Sequence, residues 1–411
     1  MEDEKDAMVE KTTHMPSWRT RLESFKVTGQ GMYALAFITY LVISFLRNST
    51  YADYVISSNA LQRCNYLLVA ILACKVYFFD KQTVRSFLLN SAVIVVGLVV
   101  WRKSHALDVL MMVMLILGAR GIPFKAINEW FLKVGTILLL FCMLSFLVGI
   151  TKDLIFVRHG VDRHSLGILY PTDFAAHVFF LILSYCYYAF ERLNWRHYLT
   201  FAFLAVVLFK LTQARLDVVA IILIIPVMAL AKAAKQGSGV AKIFSSFYWV
   251  ISIVMAYLTM MMAYFYSGKN HLLSKINSLI SGRLQIGQEA IQRYGTSPLG
   301  TRVVEHGFGA SAGAKMFYSS GMGSGYFYID SSFIRLLVIY GLVAAVFFLG
   351  VMMVISLRST LKGDYRLAAI MMMVALSCMI EQHLLDLSFN PFLLALLAGP
   401  IIMNEKKTRE V

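Results

Sequence analysis

The sequence predicts an all-α protein, a polytopic transmembrane helical bundle of about twelve spans. The chain of 411 residues is 59% hydrophobic and only 15% charged, whereas soluble domains are roughly half apolar and about a quarter charged. Its apolar residues also fall in runs of about 15 to 25, the length of a helix that crosses a bilayer. A transmembrane barrel is excluded, because its strands would alternate apolar and polar residues.

Twelve apolar runs lie between a polar tail at residues 1–30 and a second tail at 404–411, so residues 31–403 are predicted to form the transmembrane domain. The tail 1–30 has no apolar core followed by a small-residue cleavage site, and we interpret it as cytoplasmic and not as a signal peptide. The runs lie at about 32–47, 60–79, 86–101, 107–119, 128–150, 170–190, 198–212, 216–231, 244–266, 332–357, 367–380 and 391–403.

The distribution of lysine and arginine predicts the orientation of these spans. If the N-terminal tail is cytoplasmic, the inside segments hold 20 Lys and Arg, and the short outside connections hold 8 when Arg47 at a span border is included. Because Lys and Arg concentrate in cytoplasmic loops, both termini are predicted to be cytoplasmic. Residues 267–329, between spans 9 and 10, then form one long extracytoplasmic loop. The net charge of +15 is attributed to this loop bias and not to binding of nucleic acid.

Several classes of site are not supported by the sequence. The five cysteines lie in or beside apolar runs without paired spacing, so neither a disulfide framework nor a zinc site is predicted. No glycine-rich nucleotide fingerprint is present. We therefore expect no metal and no cofactor, and we expect the energy for any reaction to come from the substrate or from a gradient.

Arginines on the predicted outer side are the first candidates for substrate binding, because the guanidinium fork matches phosphate oxygens. Arg215 lies in a short connection between two apolar runs, and Arg283 lies in the long loop. Converging arginines at the rim of the bundle would suit a pyrophosphate attached to a lipid. The alternative is that each is an interface residue at a helix end. Further candidates for binding pyrophosphate or sugar are Arg158, Arg163, Arg293, Arg302, Tyr328 and Arg335.

Acidic residues and a histidine near the C-terminus are candidates for a general base. If residues 381–389 are helical, His383 and Asp386 share a face beside Glu381. Acidic residues at membrane depth are costly unless they are used or paired, although a simple turn between helices is equally compatible with the sequence. Asp330 ends the long loop and is interpreted either as a catalytic carboxylate or as a helix N-cap.

Four groups of short motifs occur in a fixed order along the chain. They are Arg163-His164-Ser165-Leu166-Gly167 with Tyr170-Pro171-Thr172-Asp173, Thr212-Gln213-Ala214-Arg215, Ser281-Gly282-Arg283 with Pro298-Leu299-Gly300, and Asp330-Ser331-Ser332-Phe333 with Tyr340-Gly341-Leu342. In this order and placement the chain resembles the bacterial O-antigen polymerase and ligase superfamily, and most closely the Wzy-type polysaccharide polymerases. Two departures are Ile329-Asp330, where ligases carry a His-Asn pair, and Thr301-Arg302, where a Gly-x-Gly is expected.

The resemblance implies a GT-C-like fold and an inverting, metal-independent glycosyl transfer at the outer face of the bacterial cytoplasmic membrane. A glycan on undecaprenyl pyrophosphate would pass to a hydroxyl of the next lipid-linked repeat unit, as in O-antigen, capsule or exopolysaccharide synthesis. Arg215 and Arg283 would stabilise the departing pyrophosphate. Asp386 or His383 would orient or deprotonate the acceptor, with Asp330 as the substitute base. Expected partners are lipid-linked glycans, membrane lipids, a chain-length regulator and a flippase.

Three other functions remain open at this stage. A ligase would use a different acceptor, such as lipid A core or a protein. A flippase or transporter for lipid-linked sugars would use the arginines to line a passage, although no internal repeat of the kind common in transporters is visible. A non-catalytic assembly subunit would not depend on the outer arginines.

Overall fold

The computed structural model describes residues 28–158, 160–319 and 325–399. Over these residues the protein is mostly helical, with a single two-stranded antiparallel sheet, which confirms the all-α class. The predicted tail at 404–411 and nearly all of the tail at 1–30 lie outside the described residues. The first helix begins at Gly29, where the Thr28 hydroxyl accepts a hydrogen bond from Gly31 N at 3.1 Å as an N-cap.

Besides a single helical turn at Tyr51–Tyr54, sixteen α-helices and two strands follow one another along the described part of the chain. They are α1 (Gly29–Arg47), α2 (Ser58–Cys74), α3 (Val84–Ser104), α4 (Asp108–Gly118), α5 (Phe124–Leu147), β1 (Ile155–Arg158), β2 (Val161–His164), α6 (Pro171–Tyr188), α7 (Trp195–Thr212), α8 (Arg215–Lys235), α9 (Gly239–Ser246), α10 (Tyr248–Tyr264), α11 (His271–Leu279), α12 (Arg283–Tyr294), α13 (Ala310–Ser319), α14 (Ser332–Arg335), α15 (Leu342–Leu361) and α16 (Arg366–Ile380). Helix α2 continues into a π-helical turn, Lys75–Phe79, and α14 into another, Leu336–Tyr340.

Six helices in the described part of the chain are long and apolar enough to cross a membrane: α1, α3, α5, α8, the pair α9 and α10, and α15. Helices α4 and α16 are apolar but shorter. In α3 only 17% of the most apolar stretch is buried, and Leu88, Leu89 and Val95 face outward. Such a surface is unfavourable in water and suits lipid. The protein is therefore an α-helical membrane protein, while the count of about twelve spans stays a prediction.

The last predicted span, 391–403, is not a membrane-length helix in its described part. Only a short 3-10 helix forms, Phe392–Leu396. Asn390 Oδ1 accepts a hydrogen bond from Phe392 N at 3.1 Å, which starts this turn. After this turn, Gly399 is held to the connection before α5 by two backbone hydrogen bonds. Gly399 N donates to Ile122 O at 2.8 Å, and Gly121 N donates to Gly399 O at 3.0 Å. Residues 400–403 lie outside the described residues.

The described part of the long polar segment 267–329 is folded and contains the helices α11, α12 and α13. Its two arms are joined by a pair of backbone hydrogen bonds between His306 and Phe327, at 2.8 and 3.0 Å. Between α11 and α12 the chain turns at Ser281 and Gly282, which both have positive φ. Residues 320–324 lie outside the described part.

Several connections meet through hydrogen bonds at one end of the bundle. We call this end the loop end; it includes Thr50, Arg163, Gly167, Leu169, Thr212, Ala310, Ser332 and Glu381. Thr50 N donates to Gly167 O at 3.0 Å, and Ala310 N donates to Leu169 O at 3.2 Å. The strand β2 packs against α7, and Arg163 Nε donates to Thr212 O at 3.0 Å. The buried helix α16 also ends here. Glu381, the residue after α16, accepts a hydrogen bond at its backbone oxygen from Ser332 N at 3.0 Å. Loops that are distant in the sequence therefore meet in one polar region.

Candidate functional site

Arg283 is held at the loop end by several hydrogen bonds. The turn before α12 is fixed by Asn277, whose Oδ1 accepts hydrogen bonds from Leu284 N and Gln285 N at 3.0 and 3.1 Å. This places the Arg283 side chain, which is only 9% exposed, against the end of α16. There it donates to Ile280 O at 3.1 Å, to Ile380 O, and to Glu381 Oε1 at 3.0 Å.

Carboxylates surround this guanidinium. Asp330 Oδ2 lies 3.8 Å from Arg283 Nε, besides the contact with Glu381. Burial alone would lower the pKa of Arg283, but the negative charges of Asp330, Glu381 and Asp217 outweigh it and raise the pKa above its ordinary value. The pKa of Asp330 is raised because burial outweighs the opposing effect of Arg283. Arg283 is therefore an internal counter-ion in this structure and not a free cation.

Three other arginines of the loop end lie together without such partners. Arg158 and Arg163 are on neighbouring strands, and the register pairs Phe156 with Arg163 and Arg158 with Val161, so both arginines lie on one face of the hairpin. Arg215 is exposed at the first residue of α8, three positions after the Thr212 carbonyl that Arg163 contacts. Burial lowers the pKa of Arg158, and the positive charges of Arg163, Arg215 and Arg283 lower it further.

No carboxylate contacts this group, Arg158, Arg163 and Arg215, in the described chain, and we call it the arginine face. In the described ranges no carboxylate oxygen lies within 4.0 Å of any of the three guanidinium groups. The guanidinium of Arg163 lies over the ring of Tyr170, 5.5 Å from its centroid. Neighbouring like charges without counter-ions are unfavourable, and an anion bound between them would relieve the repulsion.

Arg335 and Tyr328, both predicted to bind substrate, lie together in an internal network. Arg335 makes two hydrogen bonds to the Glu305 carboxylate, at 2.8 and 2.9 Å, and a third to Ile329 O at 3.0 Å. Its guanidinium lies 5.2 Å from the centroid of the Tyr328 ring. Arg335 therefore connects α14 to the long segment through Glu305 and Ile329.

A groove with a volume of about 620 Å³ lies on the long segment, beside α12. It is lined by Gly282, Gln285, Ile286, Glu289, Arg293, Tyr294, Val304, His306, Gly325, Tyr326 and Phe327. Arg293 forms an ion pair with Glu289 and lies over the Phe327 ring, 5.1 Å from its centroid. Aromatic faces beside amide, carboxylate and guanidinium groups suit a sugar. Arg302 is exposed and is not part of this groove.

Residues 381–389 are not an α-helix, so the expectation that His383 and Asp386 share a helical face is wrong. Helix α16 ends at Ile380 because Glu381 takes an extended conformation, in which its carbonyl accepts from Ser332. Asp386 accepts hydrogen bonds from Ser44 at 2.6 Å and Asn48 at 2.7 Å, and it anchors α1. Two more come from Ser388 N and Oγ, both at 2.8 Å.

His383 lies in a different environment from Asp386. It is 3% exposed and stacks on the Phe389 ring with 3.6 Å between centroids. Its Nε2 has no hydrogen-bond partner in the described structure. The nearest carboxylate oxygens are Asp173 Oδ1 at 3.5 Å and Glu381 Oε2 at 3.8 Å.

Asp330 does not act as the N-cap of α14, so this alternative is wrong. The capping position belongs to Ser331, whose hydroxyl donates to Cys378 O at 3.0 Å. Asp330 Oδ2 instead accepts a hydrogen bond from Tyr326 at 3.5 Å and faces Arg283. Between the two aspartates predicted as the base, Asp330 and Asp386, Asp330 is therefore the one that lies beside both the groove residue Tyr326 and Arg283.

Sequence reasoning did not select several residues that the fold places here: Asp173, Asp217, Tyr170, Asn277 and Glu305. The available signal for Asp173 and Asp217 was an acidic residue in the first turn of an apolar helix, since such residues are costly at membrane depth unless paired. Comparison of the chain with family models, curated proteins and solved structures finds no match. The site thus contains the arginine face, a groove lined partly by aromatic rings, and buried carboxylates.

Proposed function

We propose that this chain is a polysaccharide polymerase of the Wzy type, a membrane glycosyltransferase that joins oligosaccharide repeat units carried on undecaprenyl pyrophosphate. The observation that carries the proposal is the arginine face, Arg158, Arg163 and Arg215, with no carboxylate oxygen within 4.0 Å of its guanidinium groups in the described chain. A diphosphate ester would neutralise these charges through paired hydrogen bonds from the guanidinium forks. Its lipid tail would remain beside the apolar helices.

The groove beside α12 supplies a place for the glycan. Its volume of about 620 Å³ lies within the roughly 300–1,000 Å³ usual for small-molecule sites. Tyr294 offers a ring face for stacking, and Gln285 and Glu289 offer hydrogen-bonding groups for hydroxyls. A cationic face and an aromatic groove together match a substrate that carries both phosphates and sugars.

The proposed reaction is a direct displacement. The oxygen of an acceptor hydroxyl attacks the anomeric carbon of the donor glycan, and the bond between that carbon and the pyrophosphate oxygen breaks with inversion. The electron pair leaves with the pyrophosphate, which the arginines stabilise. The hydroxyl proton passes to a carboxylate, for which we favour Asp330, because Asp386 is engaged by α1 and Ser388. The step uses neither a nucleotide nor a metal.

The membrane arrangement belongs to the same proposal. The bias of Lys and Arg in the short connections predicts that the loop end lies outside and both termini lie in the cytoplasm. The donor and acceptor would then meet at the outer face of the bacterial cytoplasmic membrane, in a multi-pass GT-C-like fold of about twelve spans. A flippase would deliver the lipid-linked units, and a chain-length regulator would be a second partner.

The test is polymer formation from purified components. Full-length protein in lipid nanodiscs is mixed with lipid-linked repeat units alone, and product length is read on a gel. We expect a ladder from the wild type and only single units from Arg158→Ala and Arg215→Ala. The control is Arg85→Ala, because Arg85 is an exposed arginine in the first turn of α3. A full ladder from both arginine-face variants would refute the pyrophosphate role, and no polymer from the wild type would favour the ligase.

A flippase for lipid-linked sugars is the second candidate, favoured by one observation. Asp173, Asp217 and His383 are mostly buried where membrane helices meet, an arrangement used in proton relays. In this alternative the protein moves a lipid-linked unit across a liposome bilayer without joining units. Translocation of a labelled unit, with no ladder in the same sample, would identify it.

A further inference from the structure

A group of three potential metal ligands lies under the loop end. Asp173 comes from the first turn of α6, Glu381 follows α16, and His383 begins a 3-10 turn. One ligand atom from each lies within 4.8 Å of the other two. The three residues come from two distant parts of the chain, so no spacing in the sequence predicted them as a set.

The distances between these atoms fit a shared cation better than hydrogen bonds. His383 Nε2 lies 3.5 Å from Asp173 Oδ1 and 3.8 Å from Glu381 Oε2. N–H···O hydrogen bonds are usually about 2.7–3.2 Å long. Two ligand atoms bound to one ion at about 2.1 Å and at a tetrahedral angle lie about 3.4 Å apart.

A second observation points to a ligand. Only 3% of the His383 surface is exposed. Its Nε2 faces the two carboxylates and has no hydrogen-bond partner in the described structure. A buried polar nitrogen without a partner is costly. A metal ion between the three atoms would satisfy it together with both carboxylates.

The neighbouring groups hold the ligands in place. Glu381 Oε1 accepts from Arg283 at 3.0 Å, which leaves Oε2 toward His383. Phe389 stacks on the imidazole, and Leu384 N donates to Ser332 Oγ at 3.2 Å, which fixes the turn that carries His383. Fixed orientation of the ligands by outer contacts is typical of metal sites.

We propose that Asp173, Glu381 and His383 bind one divalent first-row transition ion such as Zn²⁺. One imidazole with two carboxylates is a ligand set for Zn²⁺ or a similar ion, whereas Ca²⁺ and Mg²⁺ prefer oxygen ligands alone. The ion links α6 to the segment after α16 and so stabilises the contact between them at the loop end. This inference goes beyond the proposed glycosyl transfer, which requires no metal, and it is tested without an activity assay.

The experiment titrates Zn²⁺ into chelator-treated, full-length protein without a polyhistidine tag, by calorimetry in detergent. We expect one ion per chain, and at least a tenfold weaker affinity in Asp173→Asn and in His383→Gln. The control is His177→Gln. His177 also stacks on the Phe389 ring, with 3.9 Å between centroids, but it is not one of the three proposed ligands.

Two further measurements separate loss of the ligand from misfolding. Each variant must elute as a single species, and X-ray absorption of the Zn²⁺-loaded wild type should show imidazole nitrogen with oxygen neighbours. Equal affinity in the wild type, Asp173→Asn and His383→Gln would overturn the site. So would the absence of stoichiometric binding to folded wild type, which would leave Nε2 as the donor of a long hydrogen bond to Asp173.

Discussion

Arg283 and Glu381 are 98 residues apart in the sequence, and their side chains meet at 3.0 Å at the loop end. The contact joins the start of α12 to the end of α16 and is only 9% and 2% exposed on its two sides. Because Asp330 shares the same guanidinium, this pair links the long polar segment to the centre of the bundle.

Removal of the Arg283 charge is therefore expected to destabilise the protein. In Arg283→Gln the carboxylates of Glu381 and Asp330 lose their buried counter-ion, a change that costs about 3–5 kcal/mol. The matched control is Arg293→Gln, whose ion pair with Glu289 is exposed on the arginine side and is worth about 0.2–1 kcal/mol. Thermal unfolding of both variants in the same detergent should show a large loss only for Arg283→Gln. Equal melting temperatures would contradict the role of Arg283 as an internal counter-ion.

Asp330→Asn and Asp386→Asn are expected to have opposite effects. Asp330 faces Arg283 and Tyr326 and is the proposed base, so Asp330→Asn should abolish polymerisation in protein that remains folded. Asp386 accepts hydrogen bonds from Ser44 and Asn48, so Asp386→Asn should lower the melting temperature and retain polymerisation per folded molecule. The reverse pattern in polymer yield and melting temperature would move the base to Asp386.

The groove predicts a dependence on the ring of Tyr294. Tyr294 and Phe327 stack with 6.0 Å between centroids and line one wall of the groove. Tyr294→Ala removes a stacking surface worth about 1 kcal/mol and is expected to raise KM for the lipid-linked unit about fivefold, with kcat nearly unchanged. Tyr294→Phe retains the ring and serves as the control. A similar KM for both variants and the wild type would exclude the groove as the glycan site.

The orientation of the loop end is open to chemical labelling. In a Cys64→Ser background, Lys269→Cys lies in the long segment and Lys362→Cys in the connection between α15 and α16, and both positions are exposed. A membrane-impermeant maleimide should label Lys269→Cys in intact cells and Lys362→Cys only after the membrane is opened. Labelling in the opposite order would invert the predicted topology.

Several features could be predicted from the sequence because their physical cause is local. A bilayer selects long apolar runs, so the helical membrane class follows from composition and run length. The long polar segment was also visible as the interruption of those runs. The sequence could not show that the described part of this segment folds into three helices, or that the last predicted span gives way to a 3-10 turn at Phe392–Leu396.

The roles of individual polar residues depended on contacts between distant parts of the chain. Arg215 and Arg283 were predicted as equivalent, but the fold leaves Arg215 exposed and surrounds Arg283 with carboxylates. Asp386 and His383 were predicted as neighbours on one helix, but Asp386 bonds to Ser44, 342 residues away, and His383 faces Asp173. By itself the sequence determined that this protein is a helical membrane protein, because contact with lipid requires long apolar stretches of the chain. Only the tertiary structure decided which charges are neutralised, because a counter-ion acts over a few ångströms in space and at any distance in sequence.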